Sequence, residues 1–98
     1  MELQVKRSEN EIEKDIFFIK DESVMTGAVE VLTQISASNR IVLKAKGDLI
    51  PNAVAVANIV TENMLKGNSS IQNIELDSVI SKEDGQMTSN IEITLIKD

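Results

Sequence analysis

Hydrophobic and polar positions change period along this chain in an order that predicts its elements. Residues 15–19, Asp-Ile-Phe-Phe-Ile, form a near-continuous apolar run, the pattern of a strand covered on both faces. From Ser23 to Ala37 the period lengthens to that of a helix. Met25, Ala28, Val29, Leu32 and Ile35 share one face, with Thr26, Glu30 and Thr33 turned elsewhere. Gly27 inside this segment costs about 1 kcal/mol relative to Ala, and it admits the close approach of another backbone or of a partner. Residues 38–40 connect to Ile41-Val42-Leu43, a second buried strand. A basic segment, Lys44-Ala45-Lys46-Gly47, follows it, and then Asp48-Leu49-Ile50-Pro51. Pro51 suits the first turn of a helix. Ala53, Val56, Ala57, Val60 and Met64 carry that helix to about Leu65, and Gly67 offers a left-handed stop. Two alternating segments close the chain: Ile74, Leu76, Ser78 and Ile80, then Ile91, Ile93 and Leu95. Asp84-Gly85 lies between them, so the pair reads as an antiparallel hairpin.

The order β-α-β-α-β-β predicts an α+β fold with a mixed four-stranded sheet and both helices on one face. The first strand, helix and strand make a parallel unit of right-handed crossover. No internal repeat or low-complexity segment interrupts it. Residues 1–14 mix charges with few apolar side chains and read as an N-terminal arm, which leaves residues 15–98 as the domain. A core of that size sits near the limit at which oligomerisation supplies missing burial. The second helix has apolar residues to spare. Val54, Val56, Ile59, Val60, Met64 and Leu65 cover more than one face, through core packing or a subunit contact.

Composition narrows the chemistry. The 98 residues include no Cys and no His. Thiolate chemistry is therefore excluded, and so are the commonest metal ligand and the usual proton carrier at neutral pH. Proton transfer would fall to carboxylates or lysines, and no Gly-rich phosphate loop or nucleophile elbow is present. We expect no enzyme and no cofactor. Asp21, Glu22 and Asp48 approach one sheet edge in this fold, but no calcium-loop spacing supports a metal site. No apolar run reaches the ~18 residues of a membrane span, and the N-terminus lacks a signal-peptide pattern. The expectation is a cytoplasmic protein without membrane contact.

Strand order also gathers cations. Lys20 follows the first strand, and Lys44 and Lys46 end the second; neighbouring parallel strands end at the same sheet edge. Lys82 stands near the hairpin tip, directly followed by Glu83 and Asp84. The net charge of −6, from sixteen acidic against ten basic residues, opposes a strong grip on polyanions. With Phe17 and Phe18 placed inside the first strand, nothing aromatic lies near the loops to stack bases.

The succession of strand, basic Gly turn and Pro-started helix over residues 41–60 resembles the Alba family, small dimeric archaeal chromatin and RNA-binding proteins. Ile19-Lys20-Asp21-Glu22-Ser23-Val24-Met25 adds to the resemblance, falling where the family has a strand end, a short basic loop and a helix opening in Val-Met. The similarity runs from about Asp15 to Lys97. It implies nucleic-acid contacts from Lys20, Lys44, Lys46 and Lys82, and contacts within or between dimers from Ile59, Asn63 and Met64. Met64 stands where many members carry Phe. Asp21 and Glu22 replace the loop lysines of the family, Asp48 stands where it often has Arg, and Asn52 where it often has Lys. The expectation is weak, salt-sensitive binding of DNA or RNA by a homodimer, with chromosome association. The alternative is an acidic paralogue that has lost direct binding and forms a heterodimer with a basic subunit.

Overall fold

The computed structural model describes residues 15–98; the proposed arm, residues 1–14, lies outside them. The elements are β1 (Ile16–Phe18), α1 (Val24–Ser38), β2 (Arg40–Lys46), α2 (Ile50–Ile59), β3 (Ser69–Ile80) and β4 (Met87–Lys97). They build one four-stranded sheet in the order β1-β2-β4-β3. β1 runs parallel to β2, and the other neighbours are antiparallel. The α+β fold expected from the sequence is the one observed.

Local chemistry explains the boundaries. Ser23 caps α1, its hydroxyl accepting from the Thr26 N–H at 3.1 Å. Asn39 ends it in the left-handed conformation, φ 65°, donating its N–H to the Ile35 carbonyl. Gly47, with φ +52°, turns the chain out of β2 into a short 3₁₀ turn (Gly47–Leu49), and Pro51 lies in the first turn of α2.

One helix end differs from expectation. The α-helical part of α2 stops at Ile59, and Val60–Met64 continues as a wider π turn in which the Leu65 N–H reaches the Val60 carbonyl. The buried Thr61 hydroxyl donates to the Ala57 carbonyl, a side-chain competitor of the kind that loosens a helical ladder. Gly67, with φ +83°, then releases the chain into β3.

The core lies between the helices and one sheet face. Ile41, Leu43 and Ala45 of β2, Ile91, Ile93 and Leu95 of β4, and Phe17 of β1 meet Ala28, Val31 and Ile35 of α1 and Ala53, Val56, Ala57 and Val60 from the second helix. The buried stripe of α1 therefore differs from the one predicted: Gly27 and Val31 are inside, while Met25 and Val29 are exposed. The cause is a close helix approach. A Cβ on Gly27 would stand 3.4 Å from Val56 Cγ2, so α2 packs against the Gly27 side of α1 and rotates Met25 and Val29 outward.

β1 also departs from its reading. It is a three-residue edge strand with β2 as its neighbour. Phe17 is buried on the helix side, but Phe18 faces away from the helices and is 63% exposed. An apolar run shows that side chains are apolar; it does not show that a second layer covers both faces.

Candidate nucleic-acid interface

Strand pairing does bring the predicted cationic segments to one rim. The Ile19 N–H donates to the Lys44 carbonyl at 2.8 Å, which places the exit of β1, with Lys20 next, beside the last residues of β2. Register then decides where each ammonium goes. Phe18 pairs with Lys44, Lys44 with Glu92, and Glu92 with Glu75, so these four side chains form one row across the sheet face opposite α1 and α2, the helix-free face among the described residues. Lys46, Asn90 and Asp77 form the next row toward the rim.

The cations accordingly divide. Lys20 leans back toward the helix side, its Nζ 5.9 Å from the centre of the Phe17 ring, a cation–π contact. Lys44 lies on the other face, and its Nζ is 3.3 Å from Glu92 Oε2. Lys46, one row nearer the rim, is exposed and has no carboxylate within ion-pair distance among the described residues. Lys82 belongs to the loop after β3, three residues of β4 beyond the Lys46 row, which is roughly 10 Å of strand. The sequence reading brought Lys20, Lys44 and Lys46 together. The structure brings their backbones together and separates the side chains.

The acidic residues are equally specific in their placement. Asp21 and Asp48 are exposed. Glu22 folds toward Gly27 of α1, and Glu22 Oε2 and Glu30 Oε1 are buried without hydrogen-bond donors. Burial of its oxygen, the nearby Glu30 carboxyl as an acceptor once Glu22 is protonated, and the charge of Glu30 raise the Glu22 carboxyl above the ordinary range, against a smaller opposite pull from Lys20. At the hairpin tip the Asp84 carboxylate accepts from the Gln86 N–H at 3.1 Å, and this bond, helped by the Ser81 hydroxyl, holds its pKa low. Among the described residues no three acidic side chains gather closely enough to hold a metal ion.

The residues expected at subunit contacts lie at the end of the second helix. Ile59 and Met64 are half-buried against the core, and Asn63 is exposed. They adjoin a larger apolar surface that the sequence reading did not single out. Ile71, Ile74, Leu76 and Ile80 of β3 pair with Leu95, Ile93, Ile91 and Met87, all on the helix side of the sheet, yet all four are exposed. A bulge between Ile71 and Asn73 adds one residue and keeps Ile71 and Ile74 on the same face.

This geometry has known counterparts. The sequence model of the Alba family matches residues 15–78. The chain belongs to the Alba family. Alba from Thermoplasma volcanium is 34% identical, with a TM-score of 0.70, over 84% of this chain and 99% of that one. ALBA1 from Trypanosoma brucei shares the fold at 14% identity, with a TM-score of 0.65, over 86% of this chain and 70% of that one. Alba proteins are nucleic-acid-binding proteins of chromatin type, known as non-enzymatic, and they form dimers. No helix among the described residues is long and apolar enough to cross a membrane.

Proposed function

We propose that this Alba domain binds nucleic acid weakly, through phosphate contacts of Lys20, Lys46 and Lys82, with Lys44 held in reserve by Glu92. The alignment of the β1 and β2 exits is the observation that carries this reading, because it delivers Lys20 and Lys46 to one rim from two different strands. Asp21 and Asp48, exposed on the same rim, offset part of that charge. Few phosphates can be neutralised, so binding is shallow and falls quickly with salt. Phosphate contacts position the chain without reading sequence.

The exposed β3 stripe with Ile59, Asn63 and Met64 is the natural subunit contact. It continues the core apolar face beyond the cover of the helices, and contiguous exposed apolar surface marks association. A heterodimer with a basic paralogue is the second reading. It is favoured by the helix-free face, where Glu75, Asp77 and Glu92 lie in two adjacent rows. Gel retardation of a labelled duplex at about 20 mM salt separates the two, since electrostatic binding is strongest there. Retardation by the chain alone supports direct binding. Absence of retardation alone, with recovery on mixing with a basic Alba paralogue, supports the heterodimer. Absence of retardation in both cases overturns the proposal.

A further inference from the structure

The loop between β1 and α1 is pinned at both ends. The Ile19 N–H donates to the Lys44 carbonyl, and the Ser23 hydroxyl caps α1. Of the three residues between them, Lys20 and Asp21 are exposed and Glu22 turns inward. The Glu22 N–H donates to the Lys20 carbonyl at 2.8 Å. Its Oε2 stands 3.8 Å from the Cβ position of Gly27, room that a bulky side chain there would fill. Glu30, one turn further along α1, meets it. Glu22 Oε2 and Glu30 Oε1 are both buried and have no donor among the described residues. Two ionised carboxylates offer acceptors only, so their contact needs a proton: the O–H of one donates to the other. We propose that Glu22 and Glu30 share one proton as a latch on the Lys20 loop, so that nucleic-acid binding takes up a proton. The proposal rests on the nucleic-acid-binding reading and names a regulation of its rim.

Charge sets the direction. With the proton in place, Glu22 is neutral and tucked against α1, and Lys20 faces the rim without its competition. Loss of the proton puts two negative charges in contact, which drives Glu22 out toward Lys20 and Asp21 as a second rim carboxylate. A phosphate at Lys20 takes up the cation that pulls the Glu22 pKa down, so it favours the protonated latch, and by reciprocity the protonated latch favours the phosphate. Binding therefore strengthens as pH falls through the raised Glu22 value and weakens as pH rises through it. Among the described residues, Lys20 and Glu30 are the charged groups that act on Glu22. The side chains of Phe17, Ile19, Val24, Asn52 and Val56, which line the small hollow beside it, are uncharged. The chain has no His, the side chain that ordinarily changes charge between about pH 5 and 8, so proton uptake in the lower part of that window falls to this pair.

The test is duplex affinity by fluorescence anisotropy at fixed low ionic strength, compared between about pH 7 and about pH 5, where ordinary carboxylates stay ionised. The native protein is expected to bind about two- to fivefold more tightly at the lower pH, the effect of one charge beside an exposed lysine. Glu22→Gln, whose amide donates to Glu30 as the protonated acid does, is expected to lose this dependence and to bind at pH 7 as the native chain binds at pH 5. Asp21→Asn removes a neighbouring charge without touching the latch; it is expected to bind more tightly at both pH values and to keep the native ratio. A flat native profile, an unchanged profile in Glu22→Gln, or a profile lost equally in Asp21→Asn overturns the latch. Carboxyl NMR of the free protein separates the two levels of the argument. Glu22 is expected to titrate above the ordinary value of about 4.3 and to return toward it in Glu30→Gln. An ordinary Glu22 titration overturns the latch and leaves the binding reading standing. A raised titration in a protein that binds no duplex at either pH overturns the binding reading, and with it the proton uptake.

Discussion

Lys44 Nζ sits 3.3 Å from Glu92 Oε2, directly across the β2–β4 pairing. A cation expected at a phosphate is therefore already partnered within the sheet. Both side chains are partly exposed, and such pairs contribute about 0–1 kcal/mol. Glu92 also faces Glu75 on its other side, and like charges directly opposite destabilise a sheet.

Glu92→Gln releases Lys44 at little cost to folding. Thermal stability is expected to change by no more than about 0.5 kcal/mol, as the lost ion pair and the lost repulsion oppose each other. Duplex affinity at low salt is expected to rise, with the salt slope steepening by up to about 0.9 if Lys44 gains one phosphate. Fluorescence anisotropy across a salt series checks both numbers. Unchanged affinity would mean that Lys44 is too deep on the helix-free face to reach a backbone.

Glu22→Gln tests the Glu22–Glu30 contact. The folded state raises the Glu22 pKa, so folding favours the protonated form. That preference is fully expressed below the unfolded value and is lost as pH rises through the folded value. At pH 7 the native carboxylate is therefore a liability. The amide variant is expected to melt higher than the native protein at pH 7, with the difference shrinking as pH falls toward the ordinary carboxylate range. Melting curves at pH 7 and pH 4 check this; an equal difference at both would place the effect elsewhere.

Gly27 offers a packing test. Its Cβ position lies 3.4 Å from Val56 Cγ2, with no backbone atom among the neighbours found there. One methyl fits, so Gly27→Ala is expected to stabilise the fold by about 0.5–1 kcal/mol through helix propensity. Gly27→Leu must push α2 away and is expected to cost about 1–3 kcal/mol. Denaturant unfolding measures both.

Subunit contact is tested on β3. Ile74→Glu with Leu76→Lys changes two exposed side chains of the apolar stripe, which leaves the monomer core intact. Light scattering after size exclusion is expected to report a dimer for the native protein and a monomer for the double variant. A native monomer would remove the stripe as a contact surface.

The parts of this structure that were legible in sequence are those encoded locally. Ser23, Gly47, Pro51 and Gly67 mark element ends through backbone requirements of a few neighbouring residues, and the alternation from Ile74 and from Ile91 announces the hairpin. What escaped depends on contacts between distant segments. The Lys44–Glu92 pair follows from the β2–β4 register. Exposure of Phe18 follows from β1 being an edge strand with an open face. The outward turn of Met25 and Val29 follows from α2 seating on Gly27. In sequence Glu22 is a loop acid at the rim, and only the fold of the loop brings it to Glu30. For the candidate interface, strand order was enough to locate the rim, whereas side-chain parity decided which lysines share a face.

The most direct test of the account is the salt dependence of duplex binding by the native protein and by Lys46→Gln, measured side by side from about 20 to 150 mM salt. Phosphate contacts from Lys20, Lys46 and Lys82 give an expected log–log slope near −2 to −3 for the native chain, shallower by about 0.9 in the variant. A slope that is identical in the two proteins, or no binding at the lowest salt, would contradict it.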